Sequence, residues 1–289
     1  MISVVIPAYN EENAIENTIN EIRDVFQTML LSQNEYEIII VNDGSTDNTG
    51  TRAAAAGVYV INHPHNVGYG RSLKDGILHA KFDTIVITDA DRTYPFEMVP
   101  ALYKEYQKGF DMVVGARTGE HYRESNFKSP LRRILKFLVE FTAGRKVPDV
   151  NSGLRIFSKQ TITGYLHHLC DTFSFTTSAT LAYMMTGRFV TYIPIPYEKR
   201  EGKSKVRLFR DSLLTLQYIL QAINYYNPIK IFILFSLICI LFSIIGFLMS
   251  ALLGLHSGFL LGIGGLLVSL IVMCFGLTAD LLKQIMNKT

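Results

Sequence analysis

The chain has 289 residues, of which 48% are hydrophobic, and it carries a formal net charge of +3. So small a charge does not indicate a nucleic-acid partner, and we expect none. Two of the three cysteines lie in long apolar segments, which argues against a disulfide framework. Met1 leads directly into a strand-like segment without a basic leader, so we expect no secretory signal peptide and a cytosolic N-terminal domain.

Short β-branched runs alternate with helical patterns over about the first 230 residues, enough for one domain with its own core. We predict helices near 11–30, 47–56, 69–81 and 96–108. Strands are predicted at Ile2–Pro7, Tyr36–Val41, Val58–Asn62, Thr84–Thr88, Asp111–Gly115 and 189–195. Strands separated by helices indicate an α/β domain with a mostly parallel, Rossmann-like sheet. Ligands bind such sheets beyond the carboxyl ends of the strands.

Polar residues follow the first two predicted strands. Tyr9 and Glu11 come after the first strand, and Asp43 comes after the second. Carboxylates at this edge can accept the ring hydrogens of a nucleobase, and Tyr9 offers the base a flat face. A structural alternative stays open, because Asn10 and Thr46–Asp47 are also suited to cap the helices that follow.

A glycine-containing segment, His65–Arg71, precedes the third predicted helix, and Lys74 follows it. Glycines at a helix start permit a phosphate to approach the main-chain amides closely. The signal is weak, because Gly-x-Gly alone is common and the segment lacks the full dinucleotide fingerprint.

Two carboxylates follow the apolar strand Thr84–Thr88. Asp89 and Asp91 are alternate residues at a strand end, so their side chains are expected to converge and to repel one another. A divalent cation removes that repulsion, and Mg²⁺ or Mn²⁺ favours such hard oxygen ligands together with substrate phosphates. A solvated turn is the structural alternative, but the carboxylates suited to a nucleobase, two strands away, favour a metal site.

From Ile231 to Ala279 the chain contains no Asp, Glu, Lys or Arg. A membrane-spanning helix needs about 20 apolar residues, so this run predicts two spans, near 229–253 and 258–280, with a turn at 254–258. The alternative is a long hairpin buried in a soluble core. Basic residues precede the first span and follow the second but are absent from the turn, which favours cytoplasmic location of both ends.

Two amphipathic segments are predicted beside this hairpin. In 130–143 apolar residues recur at helical spacing, as in a helix that lies in the membrane interface, although the same stripe would also pack in a core. In 206–228 a second amphipathic helix ends in Tyr225–Pro228, and its tyrosines suit the headgroup level. We therefore predict a domain at 1–205, a juxtamembrane helix at 206–228 and a transmembrane hairpin at 229–289.

Seven segments occur in the order found in glycosyltransferase family 2, whose catalytic domain has the GT-A fold. They are Val4–Glu11, Val41–Asp47, Asn66–Gly70, Asp89–Asp91, Val114–Arg117, Asp149–Arg155 and Arg200–Lys205. Within the family, the chain resembles the polyprenyl-phosphate glycosyltransferases, which are similar to dolichol-phosphate mannose synthase. Thr93 and Tyr94 stand where mannose synthases often carry Gln and His, so the resemblance leaves the donor sugar open.

The resemblance implies roles for individual residues. The nucleotide is expected at Pro7, Tyr9, Glu11, Val41, Asp43, Lys74, Asp89 and Ala90. Asp89 and Asp91 are expected to bind Mg²⁺ or Mn²⁺ on the donor diphosphate. The acceptor is expected at Arg117, Arg132, Asn151, Ser152, Arg200, Ser204 and Lys205. Of these residues, Asp91, Arg117, Arg200 and Lys205 are expected to take part in catalysis.

The sequence therefore predicts a metal-dependent, inverting enzyme at the cytoplasmic face of the cell (inner) membrane. It would move one sugar from a UDP- or GDP-linked donor to polyprenyl phosphate, for glycan assembly. A processive polysaccharide synthase is disfavoured because the chain has no Trp for the Gln-x-x-Arg-Trp motif of such enzymes. A non-catalytic nucleotide-sugar sensor or scaffold stays open, as do a homo-oligomer and a flippase or downstream glycosyltransferase partner.

Overall fold

The computed structural model describes residues 1–119, 129–197 and 208–286, without the side chains of 129–132, 208–212 and 286. The chain divides into two compact units, Met1–Tyr218 and Ile219–Thr289. The domain boundary predicted after residue 205 lies outside the described residues.

The described part of the first unit contains a seven-stranded sheet. Its strands are β1 (Ile2–Ala8), β2 (Tyr36–Asn42), β3 (Tyr59–Asn62), β4 (Thr84–Ile87), β5 (Met112–Thr118), β6 (Arg155–Ser158) and β7 (Val190–Pro196). The strand order is β3-β2-β1-β4-β6-β5-β7, and β6 is antiparallel to both β4 and β5. The remaining pairs are parallel, so the mostly parallel sheet expected from the sequence is confirmed. The strand β6 was not predicted.

Helices connect these strands and continue beyond them. They are α1 (Ile15–Thr28), α2 (Thr49–Ala55), α3 (Tyr69–His79), α4 (Val99–Tyr106), α5 (Ser129–Ala143), α6 (Lys159–Thr163), α7 (Phe175–Met185), α8 (Leu208–Tyr226), α9 (Ile229–Leu253) and α10 (His256–Met286). Two of them, α6 and α7, were not predicted. Almost all of α7 is buried, so it lacks the one-sided apolar stripe from which a surface helix is recognised.

The first helix begins later than the predicted residue 11. Asn10 has a left-handed backbone, with φ of 53°, and the carbonyl of Glu11 accepts hydrogen bonds from the amides of Ala14 and Ile15. A turn therefore separates β1 from α1. Within α1 the buried residues Ile15, Ile19, Ile22 and Phe26 recur at helical spacing and pack on the sheet core. The whole of β1 is buried, as expected for a strand covered on both faces.

The predicted amphipathic helix 130–143 forms as α5. Val139 and Thr142 are buried, whereas Ile134 is 57% and Phe137 58% exposed. The helix thus packs by one face and presents apolar side chains on another. Its location in a membrane interface stays a prediction.

The second unit contains the two long apolar helices α9 and α10. Both are long and apolar enough to cross a membrane, and only 22% and 17% of their most apolar windows are buried. Such exposed apolar surface is typical of helices in lipid and not of a soluble core. The turn is shorter than predicted, since α9 ends before Gly254, whose φ is 63°, and α10 begins at His256 and continues past residue 280.

Small residues bring α9 and α10 together. A Cβ atom on Gly246 would lie 2.6 Å from the main-chain nitrogen of Gly262, so the backbones approach too closely for any larger residue. The hydroxyls of Ser236 and Ser269 are hydrogen-bonded at 2.8 Å, and Ser243 donates to the carbonyl of Gly262 at 2.5 Å. Close contact through small and hydroxyl residues is how helices associate in a membrane, where lipid is as apolar as the side chains.

Candidate active site

The loops that follow β1 and β2 are tied to each other. The Asn10 amide donates to Ser45 Oγ at 3.0 Å, and the Thr46 amide donates to Asn10 Oδ1 at 2.9 Å. The Glu11 amide donates to Thr49 Oγ1 at 2.8 Å. Tyr9 and Glu11 are half-buried on the first of these loops. Tyr9, Glu11 and Asp43, three of the predicted nucleotide residues, thus stand on two loops that support each other.

The alternative that Asn10 and Thr46–Asp47 are helix caps holds in part. Asp47 Oδ1 accepts from the amide of Thr49, the first residue of α2, at 3.0 Å. Asn10 caps no helix, because its side chain crosses to the neighbouring loop, and the N-cap residue of α1 is Ala14.

Asp43 is only 3% exposed and is held by the main chain. Its Oδ1 accepts from the Val67 amide at 2.9 Å and lies 2.9 Å from His63 Nδ1, while Oδ2 accepts from the Gly68 amide at 2.9 Å. The carboxylate therefore fixes the loop that leads from β3 into α3. Pro7 and Val41 are buried partners in the pairing of β1 with β2.

The glycine segment before α3 packs against the chain's own backbone. A Cβ atom on Gly70 would lie 2.2 Å from the carbonyl oxygen of Cys170, and one on Gly68 would lie 2.7 Å from that of Asp171. Lys74 Nζ donates to the Leu169 carbonyl and to Asp171 Oδ1, both at 2.6 Å. The glycines thus permit the close approach of residues 169–172. Lys74 is bound to two of these residues, so a nucleotide would have to compete with those contacts for Lys74.

Asp89 and Asp91 follow β4, as predicted. Asp89 Oδ1 accepts from the hydroxyl of Tyr69 at 2.9 Å. Burial, together with the nearby Asp89 carboxylate, raises the pKa of Tyr69 well above its ordinary value, so the phenol stays protonated and donates. Asp91 is 3% exposed, and its Oδ1 accepts from Thr93 Oγ1 at 2.7 Å and from the Thr93 amide at 3.2 Å.

The turn around these carboxylates is unusual. Arg92 has a left-handed backbone, with φ of 59°, and its guanidinium is paired with Glu21 of α1. Non-glycine residues in this conformation concentrate at functional sites. Ala90 is buried, and its carbonyl accepts from Thr18 Oγ1 at 3.0 Å, which anchors the turn to α1 from within.

Two carboxylates that leave one strand end fit a hard divalent cation. Asp89 accepts from Tyr69 and Asp91 from Thr93, each at Oδ1, and carboxylate oxygens are the hard ligands that such a cation favours. No group of three or more His, Cys, Asp or Glu residues suited to a metal occurs among the described residues. A cation here would therefore need further oxygen ligands, as Mg²⁺ does when it uses one or two carboxylates and substrate phosphates.

Arg117, at the end of β5, is clamped by Asp149. Its Nε and Nη2 donate to the two Asp149 oxygens at 2.7 and 2.9 Å, its amide donates at 3.1 Å, and its guanidinium lies 5.3 Å from the ring centre of Tyr197. Burial raises the pKa of Asp149, but the hydrogen bonds and charge of Arg117 outweigh burial and lower it overall. The clamp by Asp149 therefore fixes the position and orientation of the Arg117 guanidinium.

The remaining predicted acceptor residues are only partly described. Asn151 is exposed, and its Oδ1 accepts from Thr177 at 2.7 Å. Ser152 is fully buried, and its hydroxyl has no hydrogen-bond partner among the described residues. Arg132 lies in α5 but its side chain is not described, and Arg200, Ser204 and Lys205 lie outside the described residues.

Three residues that contribute to this site were not predicted from the sequence. Tyr69 orients Asp89. Tyr94 is buried, and its hydroxyl accepts from the Gly153 amide at 2.7 Å, so it anchors the loop that contains Gly153. Arg155 is 0% exposed and hydrogen-bonded to the same loop. An arginine that opens a short apolar strand was the available signal for Arg155, but β6 itself was not predicted.

Comparisons with known proteins identify the family. The family described as Glycosyl transferase family 2 matches residues 3–165. The chain belongs to glycosyltransferase family 2. It is a glycosyltransferase, as the resemblance implied. The chain is 30% identical over 260 residues to the undecaprenyl-phosphate 4-deoxy-4-formamido-L-arabinose transferase of Enterobacter sp. (strain 638), covering 87% of this chain and 75% of that one. The transferase of the same name from Yersinia pestis (strain Pestoides F) matches with the same identity and coverage.

Solved structures of a second enzyme have a similar fold. The glucosyl-3-phosphoglycerate synthase of Mycobacterium tuberculosis in complex with phosphoglyceric acid superposes with a TM-score of 0.63 at 22% identity, covering 77% of this chain and 79% of that one. A complex of that synthase with Mn²⁺, uridine diphosphate and phosphoglyceric acid gives a TM-score of 0.61 at 22% identity, with 77% and 78% coverage. This likeness establishes the GT-A fold of the catalytic unit.

Proposed function

We propose that this glycosyltransferase transfers one sugar from a nucleotide sugar to polyprenyl phosphate at the cytoplasmic membrane face, with inversion at the anomeric carbon. The observation that carries the proposal is the match to undecaprenyl-phosphate sugar transferases over 87% of the chain, a share that extends past the first unit into the apolar helices. Both substrates are then accounted for, since the first unit suits a nucleotide and the hairpin suits a lipid.

The site residues support a reaction governed by positioning and charge. A lipid phosphate is ionised at neutral pH and needs no strong general base to attack the anomeric carbon. Arg117, held in a bidentate clamp by Asp149, would bind the phosphate of the acceptor. Arg200 and Lys205 would add positive charge to the same phosphate, and Ser204, Asn151, Ser152 and Arg132 would line its surroundings.

At the donor end, Tyr9, Glu11 and Asp43 would bind the base, with Pro7 and Val41 beneath them. Asp89 and Asp91 would hold a Mg²⁺ or Mn²⁺ ion, for which their oxygen atoms are suitable ligands. When bound, the ion supplies a Lewis acid that neutralises the leaving nucleoside diphosphate. Tyr69 and Thr93 would keep the two carboxylates oriented, through the hydrogen bonds to each Oδ1.

Orientation in the membrane follows from charge. Basic residues flank the two apolar helices at both outer ends, and the turn that contains Gly254 carries none. The positive-inside tendency supports a cytoplasmic location for both ends and for the catalytic unit. In that compartment nucleotide sugars would reach the site.

The test is to identify the product. The full chain in detergent or vesicles is incubated with a radiolabelled UDP- or GDP-sugar, Mn²⁺ and polyprenyl phosphate. We expect one lipid-soluble, mild-acid-labile product that carries a single sugar. An elongating polymer would indicate a processive synthase, and transfer only to protein or soluble sugar would reject the lipid acceptor.

A further inference from the structure

Arg155 is the most deeply placed charge in the described catalytic unit. It is 0% exposed and opens β6, where it is in register with Ile87 of β4 and Val114 of β5. Those two strands run on to Asp89 and to Arg117, respectively. Arg155 therefore lies below the edge of the sheet from which the predicted metal and phosphate residues project.

The guanidinium is surrounded by neutral groups. Nε donates to the Ser152 carbonyl at 2.8 Å, Nη2 to the Val150 carbonyl at 2.7 Å and Nη1 to Thr180 Oγ1 at 2.7 Å, while Met112 Sδ lies 3.6 Å from Nη1. Within the described part of the chain, no salt bridge involves Arg155. Burial lowers the pKa of Arg155, because removing a cation from water costs free energy. Burying a cation is unfavourable, and a role in holding the active site together would explain why Arg155 lies there.

Two of these hydrogen bonds go to one loop, residues 149–153. At one end of this loop Asp149 clamps Arg117, and at the other end the main chain of Gly153 lies against Asp89. A Cβ atom on Gly153 would lie 2.9 Å from Asp89 Oδ1, so the loop sets the space that this carboxylate can occupy. The loop thus contacts both a predicted acceptor residue and a predicted metal ligand.

We propose that Arg155 is a positioning residue for sugar transfer. It holds the 149–153 loop so that the distance and orientation between Arg117 and Asp89 stay fixed. This role rests on the proposed function. Arginine is required because its planar fork donates to the Val150 and Ser152 carbonyls from separate nitrogens, whereas a lysine ammonium is a single point.

The test compares Arg155→Lys and Arg155→Met with a matched control, Lys159→Met. Lys159 Nζ also binds two main-chain carbonyls, those of Leu78 and Ala80, but it lies beyond the other end of β6. The control thus removes a similar cation and carbonyl contact away from the site. The measurements are the melting temperature, the kinetic constants for both substrates, the Kd for Mn²⁺ with uridine or guanosine diphosphate, and hydrogen exchange of residues 149–153.

In Arg155→Lys we expect kcat to fall about tenfold or more, since small misplacements of reacting groups have effects of this order. The Kd for the nucleotide with Mn²⁺ and the acceptor KM should both rise, and amides in 149–153 should exchange faster. Lys159→Met should leave kcat, the nucleotide Kd, the acceptor KM and the exchange of residues 149–153 unchanged, even if its melting temperature falls as far as that of Arg155→Lys. If Arg155→Met does not fold, Arg155→Lys still decides.

Wild-type kinetics and unchanged loop exchange in Arg155→Lys would overturn the positioning role. So would a loss of activity no greater than that of Lys159→Met at equal thermal stability. Failure of the proposed function gives a different result, namely no sugar transfer by the wild-type enzyme. Loop exchange is measured without substrates, so it tests the role of Arg155 in that case too.

Discussion

Two regions of the site use carboxylates in different ways. At the ends of β1 and β2, which we name the base edge, Asp43 is bound by the main-chain amides of Val67 and Gly68. At the end of β4, named the metal edge, Asp89 and Asp91 accept from the hydroxyls of Tyr69 and Thr93. The base-edge carboxylate is thus held mainly by the main chain of a loop, and the metal-edge carboxylates are held mainly by side-chain hydroxyls.

A substitution should therefore disturb loop structure at the base edge and remove negative charge at the metal edge. Removing Asp43 leaves the half-buried amides of Val67 and Gly68 without this acceptor and should loosen the loop on the nucleotide side, an effect on binding. Removing Asp91 takes away negative charge where a cation would sit, an effect on the transition state. Substitutions at the two edges should therefore change different kinetic constants.

The largest effect is expected at the metal edge. Asp91→Ala should reduce turnover at least about a hundredfold, the scale of losing a principal charge stabiliser. Chelation should abolish transfer by the wild type, and Mg²⁺ or Mn²⁺ should restore it. Asp24→Ala, on an exposed position of α1, is the control and should be fully active. Full activity in excess chelator would rule out the metal site.

Lys205→Ala extends the comparison to the acceptor. Loss of a charged hydrogen bond should weaken use of polyprenyl phosphate by on the order of 1–3 kcal/mol, with little change in the donor KM. Steady-state kinetics with each substrate varied in turn measure this. An effect on nucleotide binding alone, measured calorimetrically without lipid, would make Lys205 part of the donor site.

Asp43→Ala should raise the donor KM about tenfold and leave the acceptor KM nearly unchanged, because the disturbed loop lies on the nucleotide side. Its melting temperature should also fall, since the amides of Val67 and Gly68 lose their acceptor. A change in kcat with an unaltered donor KM would contradict the role assigned to the base edge.

Tyr69→Phe removes one hydrogen bond from the metal edge and keeps the ring that stacks on Phe173, 5.7 Å between centroids. The bond goes to a carboxylate, and such a bond contributes about 1.5–3 kcal/mol, so activity should fall about tenfold and should need more Mn²⁺ for saturation. An unchanged Mn²⁺ dependence would show that the hydroxyl does not orient Asp89.

The smallest effect concerns pH. The folded-state pKa of Asp149 is depressed by Arg117, so its contribution to stability is present above the unfolded Asp pKa, about 3.9, and is lost as pH falls through the lower folded value. Asp149→Asn should therefore lower the melting temperature near pH 6 and differ less from wild type as the solution is acidified. A difference that grows on acidification would contradict the depressed pKa.

Much of this organisation was predictable from the sequence. The strands β1, β2 and β4 are apolar on both faces and end in polar segments, so their ends and the residues Asp43, Asp89 and Asp91 could be located. Local patterns could not reveal that β6 inserts antiparallel between β4 and β5, because strand order depends on contacts distant in sequence. They also missed Tyr69 and Arg155, whose roles exist only once residues far apart in the chain are brought together.

The most direct measurement is calorimetric titration of uridine and guanosine diphosphate into the wild type, Asp43→Ala and Asp91→Ala, each with and without Mn²⁺. We expect the wild type to bind one nucleotide more tightly with Mn²⁺. Asp91→Ala should lose this gain, whereas Asp43→Ala should bind weakly in both conditions and retain it. Equal loss of the Mn²⁺ gain in both variants would contradict the separation of the two edges, and no nucleotide binding by the wild type would contradict the proposed donor.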